Sequence, residues 1–199
     1  DFRDAVKTFK AVSQNIVYAD VAGNIGLQTS AGIPVRPGNG IQIYPGTTSE
    51  SDWTGLIPFE ELPFEYNPER GYVSSANNKT VPENCPYYIS HWFAMPDRIN
   101  RIREMLEEKE KLSIEDFQKM HSDVKSKKAE QMVPEYLVAL QTNTKWNETE
   151  TTALEMLKNW NYELTRESQA ASIFEILYRK NFENLIKDNV SPENFTALI

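Results

Sequence analysis

Cysteine occurs once and histidine twice in 199 residues, and each scarcity removes a class of chemistry. The lone Cys85 cannot close an internal disulfide, and with only His91 and His121 beside it a Cys/His zinc centre lacks ligands. Neither histidine adjoins a G-x-S-x-G turn, so a Ser-His-Asp hydrolase has no support. Walker A and G-x-G-x-x-G loops are missing, and Gly38-Asn39-Gly40 reads only as a turn. No apolar run approaches the roughly eighteen residues of a transmembrane helix. Nor is there a Lys/Arg block. The 21 basic residues face 29 acidic ones, a formal charge of −8, which is the wrong sign for nucleic acid or an anionic membrane. The amino terminus Asp1-Phe2-Arg3-Asp4 has neither an initiator Met nor the blocks of a signal peptide, so the chain reads as an excised or processed piece whose compartment its own residues do not state.

What is present divides near Pro96. Apolar residues make up 40% and charged residues 25%, ordinary for a globular domain, but glycine stops before Pro96 and helical periodicity starts there. Residues 1–95 read as a strand and loop segment. Asn15 to Val21 is rich in β-branched and aromatic residues, and Ala22-Gly23-Asn24 forms the turn into a second strand, Ile25–Thr29, which pairs with it. A further strand is expected over Gly71–Ala76. Between them Pro34, Pro37, Pro45, Pro58, Pro63 and Pro68 forbid a long central strand or helix, so residues 30–70 are expected to be a long ordered loop.

Residues 96–199 read as an all-helical region. Ile99, Ile102, Met105 and Leu106 share one helix face, and Glu104, Glu107, Glu108 and Glu110 read as its solvated side. Ser113 with Asp116 resembles a capping box that starts a second helix at Ile114. Pro134 sits where a third can begin. Asn147 with Glu150 caps a fourth, carrying Ala153, Leu154, Leu157 and Trp160. Ala170, Ile173, Phe174, Leu177, Tyr178, Phe182, Leu185 and Ile186 define the fifth and longest, and Ser191-Pro192 opens a last short one. The fold class is therefore α+β, strands and Pro-rich loops first and helices after.

Few residues carry chemistry. Asn77 and Asn78 end the expected strand and deliver side-chain amides that can donate to an oxyanion; equally, they make the turn. Arg98 stands at a helix start, where a surface carboxylate would ordinarily hold it. The four Asn-X-Ser/Thr sequons, such as Asn147-Glu148-Thr149, are what chance yields in a chain rich in these residues. Trp53, Trp92, Trp146 and Trp160, together with the Pro-rich loop, allow a second function class, a non-catalytic module that binds a polymer or a protein partner.

An ordered series of short motifs favours the enzyme. Tyr18-Ala19-Asp20-Val21, Gly23-Asn24-Ile25-Gly26, Ile33-Pro34-Val35-Arg36, Trp53-Thr54-Gly55-Leu56-Ile57-Pro58-Phe59, Asn67-Pro68, Gly71-Tyr72 with Asn77-Asn78, Asp97-Arg98-Ile99 and Leu157–Asn161 together resemble the β-subunit of the penicillin amidase (penicillin acylase) family over nearly the whole chain. The resemblance implies an N-terminal-nucleophile hydrolase with an αββα core and an attached helical region. Its nucleophile is a Ser exposed by self-cleavage of a precursor, and the α-amino group of that Ser serves as base. An α-amine titrates near pH 8, so it suits the task without histidine.

By position, Asn77 matches the family's oxyanion-hole asparagine and Arg98 its active-site arginine. Asn15 opens the strand beside the acyl pocket. Gln14 is polar where benzylpenicillin-cleaving members place an apolar residue. The nucleophile lies upstream of these residues, so the isolated piece is expected to hydrolyse nothing, and its strand edges to seek the rest of the sheet. Implied partners are the remainder of the same precursor (α-subunit and rest of the β-subunit) and a small N-acyl substrate, with no nucleic acid and no membrane. The implied location is periplasmic or extracellular. Some members bind calcium through carboxylates near the site; Cys85–Ser90 offers no acid at the matching place, so no metal and no cofactor is assigned.

Overall fold

The computed structural model describes residues 2–143 and 145–198. The chain forms two compact units, Asp1–Glu108 and Lys109–Ile199.

The first unit opens with a helix that the sequence does not signal, α1 (Phe2–Lys7), followed by β1 (Gln14–Ala19) and β2 (Ile25–Ser30). β1 and β2 form the expected antiparallel hairpin, Gln14 opposite Ser30 and Ala19 opposite Ile25. Asp20 ends β1, because its carboxylate accepts the backbone N–H groups of Ala22 and Asn24, both at 2.9 Å, and the Asn24 amide at 2.8 Å. The Asn24 hydrogen bonds hold its pKa below the usual carboxylate value. β2 is the central strand: Leu27 and its neighbours through Ser30 are buried. α1 packs on the hairpin, with Phe2 stacked on Tyr18 of β1 at 4.8 Å and Arg3 Nε donating to Gln28 Oε1 of β2 at 3.0 Å.

The Pro-rich stretch remains loop-like but carries short pieces. β3 (Pro34–Val35) pairs with β4 (Gly55–Leu56), which closes the loop between them, and Ile33, Ile57 and Leu62 make a small core beneath it. After a 3₁₀ turn at Phe59–Glu61, β5 (Phe64–Tyr66) joins the far edge of β2, giving the sheet order β1-β2-β5. Asn67 ends β5 at φ 44. Its Oδ1 accepts from Ile25 N at 2.8 Å and its Nδ2 donates to Asn24 Oδ1 at 2.9 Å.

The strand expected over Gly71–Ala76 does not form. Those residues run without a ladder partner, because β5 already occupies the free edge of β2 and side chains hold the segment instead. α2 (Asp97–Glu107) belongs to this unit although the change of texture lies at Pro96. The reason is contact with the unladdered segment: Tyr72 donates to Glu107, and Arg98 to residues 76 and 77.

The second unit is helical: α3 (Ile114–His121), α4 (Lys127–Leu140), α5 (Glu148–Lys158), α6 (Gln169–Asn189) and α7 (Pro192–Leu198). Both expected capping boxes are present, Ser113 with Asp116 and Asn147 with Glu150. α4 begins earlier than Pro134 suggests. Ser126 accepts from Ala129 N, and that N-cap starts the helix a full two turns upstream, leaving Pro134 inside on the exposed side. Phe174, Val133, Ala129, Leu157 and Trp160 form the core. Trp160 lies beyond the end of α5 and donates from its indole to Glu163 O at 3.0 Å. Phe182 and Leu185, among the residues that define α6 in the sequence, are exposed, because the core stops at Tyr178. Among the described residues no helix is long and apolar enough to cross a membrane.

Candidate active site

The site is assembled from amides. Asn15 stands opposite Thr29 in the β1–β2 ladder. Thr29 Oγ1 donates to Asn15 Oδ1 and Asn15 Nδ2 donates to Ser75 Oγ, both at 2.8 Å. This pair of bonds ties the Gly71–Ala76 segment to the hairpin in place of a strand ladder.

The chain then turns sharply. Asn77 adopts φ 62, a left-handed conformation that Asn tolerates better than most residues. Asn78 is buried and spends its side chain inside the turn: Oδ1 accepts from Ala76 N at 3.1 Å and Nδ2 donates to Lys79 O at 2.9 Å. The carbonyl of Asn77 accepts from Ala94 N at 2.8 Å. One nitrogen of Arg98, Nη2, donates to Ala76 O and to Asn77 Oδ1, each at 2.9 Å.

A guanidinium can only donate, so the end of the Asn77 amide that faces it must be the oxygen. Nδ2 is then the end left to serve a ligand. The two adjacent asparagines thus differ in kind: Asn78 holds the turn, and Asn77 presents a donor.

A cleft of about 460 Å³ runs alongside, and its walls include Asn15, Thr29, Asn77, Asn78, Ser90 and Trp92. A larger depression of about 620 Å³ touches Asn78 but neither Asn15 nor Asn77; size alone would select it, yet the oriented donor lies on the smaller one. The structure therefore places Asn15 and Asn77 on one cleft wall, while Arg98 is joined to Asn77 by its hydrogen bond but does not itself line that cleft. Gln14 is not on the cleft wall; its carbonyl accepts from Ser30 Oγ at 3.3 Å and its side chain is exposed. Ser75 and Thr29, which aim Asn15, carry no signal in the sequence. Among the described residues no group of three or more His, Cys, Asp or Glu is arranged to hold a metal ion.

Trp160 is 8% exposed and packs on Phe174 at 5.7 Å, which removes it from any recognition surface, whereas Trp53 and Trp92 are exposed.

The family model described as Penicillin amidase matches residues 1–198. The chain belongs to the penicillin amidase family. It is 35% identical over 124 residues to a penicillin acylase 2 proenzyme of Pseudomonas sp. (strain SE83), covering 62% of this chain and 16% of that protein. To the penicillin G acylase of Escherichia coli it is 37% identical over 109 residues, 52% of this chain and 12% of that one. It is also 32% identical over 103 residues, 51% of this chain and 12% of the relative, to an acyl-homoserine lactone acylase QuiP of Pseudomonas syringae pv. tomato. The matched region is thus less than a fifth of each relative's length. The thermostable penicillin G acylase from Alcaligenes faecalis has the same fold, with a TM-score of 0.72 at 22% identity over 98% of this chain and 36% of that one. The mixed sheet-and-loop region followed by helices is accordingly the fold of penicillin amidase family hydrolases, with the expected helical second half.

Proposed function

We propose that this chain is a segment of an acylase that hydrolyses the amide of a small N-acyl compound, and that Asn77 Nδ2 and Arg98 form the oxyanion side of its site. The nucleophile on this reading is an N-terminal Ser supplied by upstream residues of the same precursor. Its hydroxyl oxygen attacks the amide carbonyl carbon while its own α-amine takes the proton. The carbonyl oxygen becomes an oxyanion, and Nδ2–H of Asn77 donates to it. Collapse of the intermediate expels the amine, which receives the proton from the α-ammonium, and water then releases the acyl group by the same steps. Substrates are N-acyl compounds of the kinds named in the relatives, penicillins or acyl-homoserine lactones. Asn15 lines the same cleft and contacts the acyl side, with Gln14 beside it on β1.

The observation that carries this reading is the double donation from Arg98. By bonding Oδ1 it fixes which end of the amide is presented, and by placing a cation on that oxygen it makes Nδ2–H a stronger donor. In the full-length processed protein, Asn77→Ala is expected to lower kcat about a hundred- to a thousandfold with KM nearly unchanged, as loss of one oxyanion donor does elsewhere. Steady-state hydrolysis of an acyl-anilide measures it. Retention of kcat within about threefold, well below that range, would remove Asn77 from the reaction. The 199 residues alone are expected to turn over no acyl-anilide.

A further inference from the structure

The turn that carries Asn77 is held in two ways. The first is local: Arg98 Nη2 donates to Ala76 O and Asn77 Oδ1, and Asn78 Oδ1 accepts from Ala76 N. These bonds decide which end of the Asn77 amide is presented. They join the turn to itself and to α2, so they do not fix how far it stands from the sheet. The second is a side-chain relay that starts in the sheet. Side chains alternate between the faces of a strand, so α1, which packs on Tyr18 and Gln28, leaves Asn15 and Thr29 on the opposite face. The segment that leads to Asn77 meets that face at Ser75.

Thr29 is the fixed base of the relay. It is buried on the central strand, and its backbone N–H donates to Pro63 O at 2.9 Å. Its hydroxyl donates to Asn15 Oδ1, which turns Asn15 Nδ2 toward Ser75 Oγ. Ser75 stands two positions before Asn77. Residues 72–76 make no ladder with β1 or β2, so the Ser75 hydroxyl takes the place of the backbone bonds that would otherwise set the height of the turn above the hairpin. Ser75 does not line the cleft, whereas Asn15 and Asn77 do. Its place in the fold is therefore behind the site, between the sheet and the donor.

Resting on the reading that Asn77 Nδ2 is the oxyanion donor, we propose that Ser75 is a positioning residue: its hydroxyl, clasped by Asn15, sets the distance of the donor from the reacting carbonyl, as Arg98 sets its orientation. It acts through Asn77 and touches no substrate. Distance matters here because such donors act at about 2.7–3.1 Å from the oxyanion, and a misplacement of about 1 Å costs on the order of a hundredfold in rate.

The test is steady-state hydrolysis of an acyl-anilide by the full-length processed protein and its variants, with crystal structures of the same variants. Ser75→Ala is expected to lower kcat about tenfold with KM within about twofold of wild type, a smaller loss than removal of the donor itself. Ser75→Thr keeps a hydroxyl at that place and retains most of kcat. Thr29→Val costs less than Ser75→Ala, because the released Asn15 amide turns its oxygen toward the Ser75 hydroxyl, which then donates and keeps the clasp. In an Asn77→Ala background Ser75→Ala adds no further loss, since the group it positions is gone. Full kcat in Ser75→Ala overturns the proposal, and so does a loss that recurs undiminished in the Asn77→Ala background. The crystal structures separate the two claims: an Asn77 amide displaced in Ser75→Ala, together with unchanged kcat in Asn77→Ala, refutes the oxyanion role and leaves the positioning standing, whereas an Asn77 amide unmoved in Ser75→Ala refutes the positioning whatever kcat does.

Discussion

In Lys109–Ile199 the side chains that fix the structure are apolar and come from successive helices, whereas in Asp1–Glu108 they are polar and come from far apart in the chain. The helical unit centres on Phe174, fully buried, with Trp160 at 5.7 Å, Tyr178 at 6.0 Å and Tyr136 at 6.5 Å around it. Among the described residues, the buried apolar cluster of the first unit has three members, Ile33, Ile57 and Leu62, under a Pro-rich loop whose own ladder is the two-residue β3–β4 pair. Asparagines do the joining there: Asn15 reaches Ser75 across 60 positions, and Asn67 reaches Ile25 across 42. Apolar packing tolerates small shifts, since contact is non-directional. Hydrogen bonds require distance and angle together. A region built on them holds individual side chains at fixed orientations, and that is what the proposed oxyanion donor needs.

The comparison is most easily broken in the helical unit. Phe174→Ala removes the ring against which three aromatics pack, and a large-to-small change of this kind costs about 3–5 kcal/mol. Hydrogen exchange in the full-length protein should show α4, α5 and α6 losing protection together; protection surviving in α6 would mean that the aromatic cluster is not what holds these helices. A smaller effect is expected at Asn67, where two side-chain bonds and a left-handed backbone coincide. Asn67→Ala loses all three contributions, about 1–3 kcal/mol, and Asn67→Gly keeps the backbone conformation and loses only the bonds. Thermal unfolding should rank wild type above Gly and Gly above Ala. Equal values for wild type and Gly would show that the turn depends on φ alone, and the claim that amides organise this unit would weaken.

The same contrast explains what the residues reveal before folding. α3 and α5 are legible because a capping box spans three positions and helical periodicity repeats within a turn or two. The β1–β2 hairpin is legible for the same reason, its turn being Gly23-Asn24 between two β-rich runs. β5 is not, since a three-residue strand has no period to detect and its partner β2 lies far back in the chain. The expected strand at Gly71–Ala76 shows the limit: its composition suits a strand, but another segment takes the edge. At the site, Asn77 and Arg98 are reached through resemblance and then found bonded; their spacing of 21 positions carries no geometric meaning by itself.

One polar device belongs to the helical unit, and its reach is short. Asp116 accepts from the Lys109 ammonium on Oδ1 and from Ser113 N and Oγ on Oδ2. The Lys109 bond first, and the Ser113 backbone bond second, lower its pKa from 3.8 to about 2. The folded value is below the unfolded one, so the ionised carboxylate favours folding. That contribution is complete above pH 3.8 and is lost as the pH falls from there through about 2. Asp116→Asn should therefore flatten the stability of α3 over that interval while changing little at pH 2, as read by the helical signal during acid titration. Lys109→Met should move the carboxyl pKa back toward 3.8 by NMR, and high salt should reproduce part of that change, because the pair is exposed and screened whereas the Ser113 backbone bond persists. If Asp116→Asn leaves the acid limb unchanged, the cap contributes nothing through charge, and the stability of α3 rests on packing like that of its neighbours.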